Sequence, residues 1–316
     1  MILCSGEALI DMIPFPTTAG ATAPAAAGRD GFVPFAGGAV FNTAVALGRL
    51  GAPTGMLTGL SRDVFGQQLE QVLTESGVSS DLCVRSDRFT TLAFVRLENG
   101  QATYDFHDEN TAGRMLTPDD MPALDARITA LFLGGISLMI EPCAEAYRAL
   151  LAREGGTRAV MLDPNIRPDF IRDPARYRDR LTAMLAQSDI VKVSDEDLDW
   201  ILPGDTPSEA RSAQLFDLGP SLVVMTRGDK GAAGFLRDGR SVTVPARAVQ
   251  VVDTIGAGDT FNAGLLASLS QQGLLTKAAL RDLPDAALEQ ALDLGVRAAA
   301  VTVSRAGANP PWSQDL

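Results

Sequence analysis

The sequence predicts an α/β protein: a mostly parallel sheet covered on both faces, with a small β-rich flap beside it. Short apolar runs bounded by Gly, Pro or Asp alternate with amphipathic stretches of helical length, the pattern of strand–helix–strand units. The runs are apolar throughout, as strands buried on both faces are. Two segments, 12–34 and 89–106, break the rhythm with no helix between strands, so they fall outside the parallel layer.

Taken in order, the candidate strands are 2–9, 54–60, 130–133, 159–162, 190–193 and 222–226, and the candidate helices are 41–50, 65–76, 143–153, 174–187, 259–271 and 287–301. Segment 12–34 is rich in Ala, Thr, Pro and Gly and holds nothing long enough for a helix. Segment 89–106 reads as a hairpin: an apolar run to Leu97, a turn at Glu98-Asn-Gly100, then a second run to Phe106. Asn-Gly between two such runs is a strong hairpin signal. Nothing repeats at a fixed period.

The chain has 316 residues and 46% hydrophobic composition, enough for a sizeable core. Its 27 Lys+Arg against 39 Asp+Glu give a formal charge of −12. Without a basic cluster it is not expected to hold nucleic acid or an anionic membrane. A bound polyphosphate would need local means: backbone N–H groups, a few Arg or Lys side chains and a metal. Cys4, Cys83 and Cys143 are odd in number and form no CxxC pair, which argues against a disulfide framework or a zinc site. His107 is the single histidine and reads as an ordinary polar side chain. The N-terminus has no basic region or cleavage site of a secretory signal, and the apolar stretch 130–140 is too short to span a bilayer. A cytoplasmic protein is expected.

The string Asp253-Thr-Ile-Gly-Ala-Gly-Asp-Thr-Phe-Asn262 carries the sharpest chemistry. It reads as a strand ending at Asp253, a small-residue turn, and a helix from Asp259. Backbone N–H groups converging at a helix N-terminus cradle an anion. Asp259 in the first turn is either a cap favoured by the dipole or a carboxylate facing that anion. Accepting the proton of a hydroxyl that attacks phosphorus is a task that would justify two negative groups side by side.

That string resembles the C-terminal signature of the ribokinase-like (PfkB) carbohydrate kinases, and Gly37-Gly-Ala-Val-Phe-Asn42 resembles their N-terminal one. The resemblance covers essentially the whole chain. It implies one three-layer α/β/α ribokinase-like domain over 1–316, with a β-sheet lid from about 12–36 and 89–106 that closes over a sugar. It also implies transfer of the γ-phosphoryl of ATP with Mg²⁺, assisted in many members by K⁺. No GxxxxGK[ST] is present, so the phosphate site is not a Walker loop.

By this resemblance Asp259 is the catalytic base, and Gly256, Ala257 and Gly258 supply the anion hole. Asp11, Gly37, Gly38 and Asn42 meet the sugar, and Arg167 in Asp163-Pro-Asn-Ile-Arg167 reaches the sugar or the nucleotide phosphates. Phe94 and Phe106 have the parity to face a ligand from the lid. Lys192, Ser194, Thr226 and Gly228 match nucleotide positions, and Asn309 falls near the adenine. Ser194 and Asp197 stand where most members carry Asn and Glu. Asp253, Ile255, Thr302, Arg305 and Gly307 match positions that bind a monovalent cation, largely through carbonyl oxygens.

The opening Gly6-Glu-Ala-Leu-Ile-Asp11 and the run Asn110–Arg114 are most similar to bacterial fructokinases. The related 2-keto-3-deoxygluconate kinases place Tyr-x-Arg at the end of the lid hairpin, where this chain has Tyr104-Asp-Phe-His107. Asp105 and Asp108 would repel a carboxylated substrate if they faced inward. Fructose is therefore favoured, with 2-keto-3-deoxygluconate and ribose as alternatives. A sugar sensor on the same fold would be expected to lose Asp259 or its glycine turn. A nicotinamide oxidoreductase would need GxGxxG after an early strand, which this chain lacks. Apolar positions in the lid strands suggest a homodimer formed through them.

Overall fold

The computed structural model describes residues 1–16, 30–98, 101–204 and 206–316. Its strands in chain order are β1 (Ile2–Ser5), β2 (Leu9–Pro16), β3 (Asp30–Gly37), β4 (Thr54–Leu57), β5 (Gly59–Ser61), β6 (Val78–Ser79), β7 (Val84–Ser86) and β8 (Leu92–Glu98). They continue as β9 (Gln101–His107), β10 (Ala130–Gly134), β11 (Ala159–Asp163), β12 (Ile190–Ser194), β13 (Leu222–Thr226), β14 (Ala232–Leu236) and β15 (Ser241–Val244). The helices are α1 (Ala39–Arg49), α2 (Val64–Glu75), α3 (Cys143–Glu154), α4 (Pro174–Leu185), α5 (Asp195–Ile201), α6 (Ser208–Gln214), α7 (Ala257–Gln271), α8 (Lys277–Arg281) and α9 (Asp285–Val303).

The main sheet runs β15-β14-β13-β12-β11-β10-β1-β4-β6. It is parallel from β6 to β13 and ends in an antiparallel β14–β15 edge. Successive side chains of one strand enter opposite cores, as the pleat requires. Ile2, Cys4, Phe132 and Met161 pack with α1, α7 and α9, whereas Leu3, Leu131, Leu133 and Leu162 pack with α3 and α4. This is the expected three-layer arrangement. Helices α7 and α9 approach so closely that a Cβ on Gly264 would lie 2.6 Å from the Cα of Gly295, so their crossing requires glycine.

The flap is a separate sheet of order β3-β2-β8-β9. Strand β2 pairs antiparallel with β3 and parallel with β8, and β8 pairs antiparallel with β9. Of the flap as predicted, 17–29 and the hairpin-turn residues 99–100 lie outside the described residues.

Three sequence expectations are corrected. The run 2–9 is two strands in two sheets, because the chain leaves the main sheet at Gly6, where a Cβ would meet Val40 at 2.5 Å. The run 54–60 is likewise divided at Thr58 into β4 and β5. No strand ends at Asp253. Val251 and Val252 are exposed, the Val252 N–H bonds the Val303 carbonyl at the end of α9, and α7 begins at Ala257, two residues before Asp259. The edge hairpin β14–β15 was missed, although Asp238-Gly239 between two apolar runs is a turn signal.

The three cysteines are buried and free, and no helix among the described residues is long and apolar enough to cross a membrane.

Candidate active site

Two cavities meet at the N-terminus of α7. One, of about 390 Å³, lies between the small sheet and the C-terminal ends of the main strands. The other, of about 670 Å³, is a more apolar groove between α7, α9 and the loop after β13. Thr254, Ala257 and Gly258 line both.

Gly256 sets this junction. It is the N-cap of α7 with φ 75°, a left-handed conformation natural to glycine, and no side chain caps the helix end. The Ala257 N–H turns to the Thr254 carbonyl at 3.3 Å. Asp259 follows in the first turn, 8% exposed. Its Oδ2 accepts from Asn42 Nδ2 at 2.9 Å, and its carbonyl accepts from Thr43 Oγ1 at 3.2 Å, which locks α7 against α1. Burial pushes the Asp259 carboxyl up to about 7, against the Asn42 hydrogen bond, with Asp163 adding to the rise and Lys192 opposing it.

The first cavity has an acidic wall. Asp11 on β2 faces it, and burial lifts its carboxyl to about 6. Gly37, which pairs with Leu9 two residues along β2, leaves room for it: a Cβ there would lie 2.1 Å from Asp11 Oδ2. Gly38 turns the chain at φ 105° into α1, against the Glu7 carbonyl. Glu7 also lines the cavity, and sequence reasoning gave it no role. Its carboxylate accepts from the Ala39 N–H (3.1 Å) and the Ser137 N–H (3.2 Å), and burial pushes it above the ordinary range. The available signal was a lone acid inside an apolar run.

Arg167 lines the opposite side, its Nη1 donating to the Ile166 carbonyl at 3.0 Å. Phe106 and Tyr104 reach in from β9, and Phe106 meets Phe170 of the main body edge-on, ring centroids 4.5 Å apart. Lys192 sits at the cavity floor, where its Nζ donates to Asp163 Oδ2 at 3.1 Å.

Thr226 and Gly228 line the groove as expected. Ser194 does not. Its hydroxyl caps α5 in a reciprocal pair with Asp197, whose other oxygen accepts from the Ile166 N–H at 2.7 Å. The two replacements thus form one local helix cap. Asn309 also lies off the groove, accepting from Arg49 at 3.0 Å.

Phe94 is placed differently from Phe106. Across the ladder Ala93 opposes Phe106 and Phe94 opposes Asp105, so residues of unlike parity share a face. Phe94 therefore points away from the cavity and packs on Phe32 and His107. Asp105 shares that outer face, and Asp108 is buried against Arg114 at 2.7 Å. The repulsion expected from these two acids falls instead to Glu7, Asp11 and Asp259.

Of the five cation positions, three are linked by hydrogen bonds to one carboxylate. Asp253 accepts from the Ile255 N–H (3.0 Å) and the Gly307 N–H (2.9 Å). The Thr302 side chain is buried against Thr260 and the Arg305 side chain pairs with Asp315, which leaves the carbonyl oxygens that the resemblance implies.

The family pattern of pfkB carbohydrate kinases matches residues 1–315. A fructokinase of Rhizobium leguminosarum bv. trifolii is 52% identical over 294 residues, 93% of this chain and 87% of that protein. The solved structure of a fructokinase with bound ATP from Xylella fastidiosa superposes with a TM-score of 0.86 at 30% identity, covering 99% of this chain and 96% of that one. A Vibrio cholerae O395 fructokinase variant, in fructose, ADP and potassium ion bound form, gives 0.80 at 25% identity, with 97% and 93% coverage. The chain belongs to the pfkB family of carbohydrate kinases.

Proposed function

We propose that this protein is a fructokinase, transferring the γ-phosphoryl group of ATP to a primary hydroxyl of D-fructose. The observation that carries the reading is the junction itself: two cavities share the uncapped turn at the start of α7, with a buried carboxylate beside it. The sugar occupies the cavity lined by Asp11, Gly38 and Arg167. ATP occupies the groove past Thr226 and Gly228, its phosphates directed at the Gly256-Ala257-Gly258 turn.

Asp259 takes the proton of the attacking hydroxyl. The sugar oxygen bonds to the γ-phosphorus as the bond to the β-phosphate oxygen breaks, and ADP leaves. A carboxyl near pH 7 suits a base operating at neutral pH. The helix N-terminus and Lys192 stabilise charge on the transferring group. The small sheet acts as the lid, Phe106 meeting Phe170 across the cavity. Mg²⁺, when bound to the triphosphate, neutralises part of its charge. No cluster of three or more metal-ligating side chains is present among the described residues, so phosphate and water oxygens would supply most of its ligands. The family resemblance puts a monovalent cation near Asp253, Ile255 and Gly307, which the two N–H contacts to the Asp253 carboxylate hold together.

The identity to the Rhizobium fructokinase supports fructose, and so does the cavity wall. Glu7, Asp11 and Asp259 face two cations, one of them already paired with Asp163, which favours an uncharged sugar over a carboxylated one. Sugar-dependent ADP release, compared among D-fructose, 2-keto-3-deoxygluconate, ribose and no sugar, tests this. Selective turnover of fructose supports the reading, turnover of another sugar removes the specificity, and silence with all of them in a folded protein that still binds ATP points to an untested substrate or to a sugar sensor. Phe32, Val33 and Phe35 are exposed on β3 and suit pairing of two chains through the small sheets. Light scattering that shows a monomer at micromolar concentration rules the dimer out.

A further inference from the structure

Beneath the α7 turn lies a buried polar cluster. Asp163 at the end of β11, Lys192 on β12 and Asn262 on α7 are 2%, 4% and 1% exposed. Asp163 Oδ2 accepts from both Lys192 Nζ (3.1 Å) and Asn262 Nδ2 (2.6 Å). Asp163 Oδ1 and Asn262 Oδ1 are buried with no partner. An ion pair between central strands is costly to desolvate, and an apolar pair of similar volume serves stability as well or better. Stability alone does not account for it. Its position does: a Cβ on Gly258 would lie 3.5 Å from Lys192 Nζ, so the ammonium touches the turn between the two cavities.

We infer that Asp163 is a positioning residue for phosphoryl transfer, holding the Lys192 ammonium charged and fixed beneath the Gly256–Gly258 turn. The inference rests on the proposal that transfer takes place at that turn. An ammonium has three donors, and Asp163 holds one, leaving the others for the group that crosses the junction.

Lys192 is faced by Asp163 from β11, Asp197 from α5 and Asp259 from α7. Asp259 is faced by Asp163, Lys192 and Glu7, with Asn42 of α1 donating to it. Tyr177 of α4 faces Asp163 and Asp197. Burial alone would lower the Lys192 ammonium, and Asp163, ahead of Asp197, holds it above the ordinary lysine range. Asp163 also raises Asp259. Removing its charge therefore moves both ionisations to lower pH.

The test is Asp163→Asn, read in two ways. In turnover, the expected result is at least a tenfold loss at pH 8, with both limbs of the pH profile displaced downward. A profile of unchanged position, merely scaled, overturns the inference. In protein labelled with ¹⁵N at lysine Nζ, only three lysines contribute, and Lys192→Met assigns the signal. The Lys192 signal is expected to titrate at least one unit lower in Asp163→Asn, and an unchanged titration overturns the inference. This second reading needs no turnover, so it separates failure of the inference from failure of the kinase proposal. Should Asp163→Asn not fold, the Asp163→Asn/Lys192→Met protein, which leaves neither partner charged, carries the test. Turnover within threefold of Lys192→Met alone is expected, and a further tenfold loss shows that Asp163 does not act through Lys192.

Discussion

Asn42 Nδ2 donates to Asp259 Oδ2 across 2.9 Å, joining residues 217 positions apart in the chain. The bond ties the helix that opens after Gly38 to the helix that opens after Gly256. The two signature strings thus meet at one carboxylate. Asn42 satisfies one oxygen of the buried group, and the other is the one the proposed base would use.

The first consequence is a pH profile. Burial lifts Asp259 to about 7, and a base works only when deprotonated. With saturating MgATP, kcat/KM for the sugar is expected to rise about tenfold per unit below that value and to level above it. Asp11, lifted to about 6, steepens the acid side. A rate that stays flat from pH 5.5 to 8 would remove Asp259 as the base of the free enzyme.

Placing a second carboxylate beside the first should move that midpoint. Asn42→Asp exchanges a donor for a like charge at hydrogen-bond distance from Asp259 Oδ2. Two adjacent carboxylates cannot both ionise easily, so the midpoint is expected to climb by about one unit or more. Steady-state rates over pH 6 to 9 check it, and a midpoint that holds still or falls would contradict the assigned contact.

Asp259 should also weaken the fold that holds it. Its folded pKa is raised far above the unfolded value of 3.8, so between about 4 and 7 the folded state keeps a proton that the unfolded state releases. Stability from this group is complete below the unfolded pKa and is lost as pH rises through the folded one. Asp259→Asn removes the liability. The variant is expected to be more stable than the parent at pH 8 by on the order of a few kcal/mol, and so to melt higher, with the gain fading toward pH 4. Its turnover should fall by about 10²–10⁴. Melting curves at pH 4 and pH 8 decide, and a variant less stable at pH 8 would show that the carboxylate is not desolvated as described.

What was legible in the sequence was what local strings encode. The turn at Gly256 needs a small residue with positive φ, and Asp259 and Asn42 follow their turns at fixed offsets, so these could be read directly. The alternation of apolar runs and helices placed the main sheet. Glu7 was hidden because its run looks continuous, and only the three-dimensional break at Gly6 turns its carboxylate toward Ala39 and Ser137. Ser194 and Asp197 stand where the family resemblance puts an Asn and a Glu, yet their side chains are engaged in capping α5 and fastening Ile166. Competition between a local cap and a ligand contact is decided by tertiary geometry, which one-dimensional spacing does not carry. The same holds for Phe94, whose face depends on the register of β8 against β9.

That register supplies a sharp comparison between two aromatic residues of one hairpin. Phe106 faces the cavity and meets Phe170 edge-on at 4.5 Å, so it links the small sheet to the main body over the cavity. Phe94 faces outward against Phe32 and His107. An aromatic pair of this kind contributes about 0.5–1.5 kcal/mol beyond its buried area. The pair closes one side of the proposed sugar cavity, so its loss is expected to be felt in sugar binding. Phe106→Ala is expected to raise KM for fructose about two- to tenfold and to leave KM for ATP nearly unchanged. Phe170→Ala should do the same, and the double variant should be no worse than either single one, because the two rings act as one contact. Phe94→Ala should leave KM for fructose within about twofold. Equal effects of Phe94→Ala and Phe106→Ala would mean that the hairpin acts on the sugar through its stability as a whole and not through the face that lines the cavity.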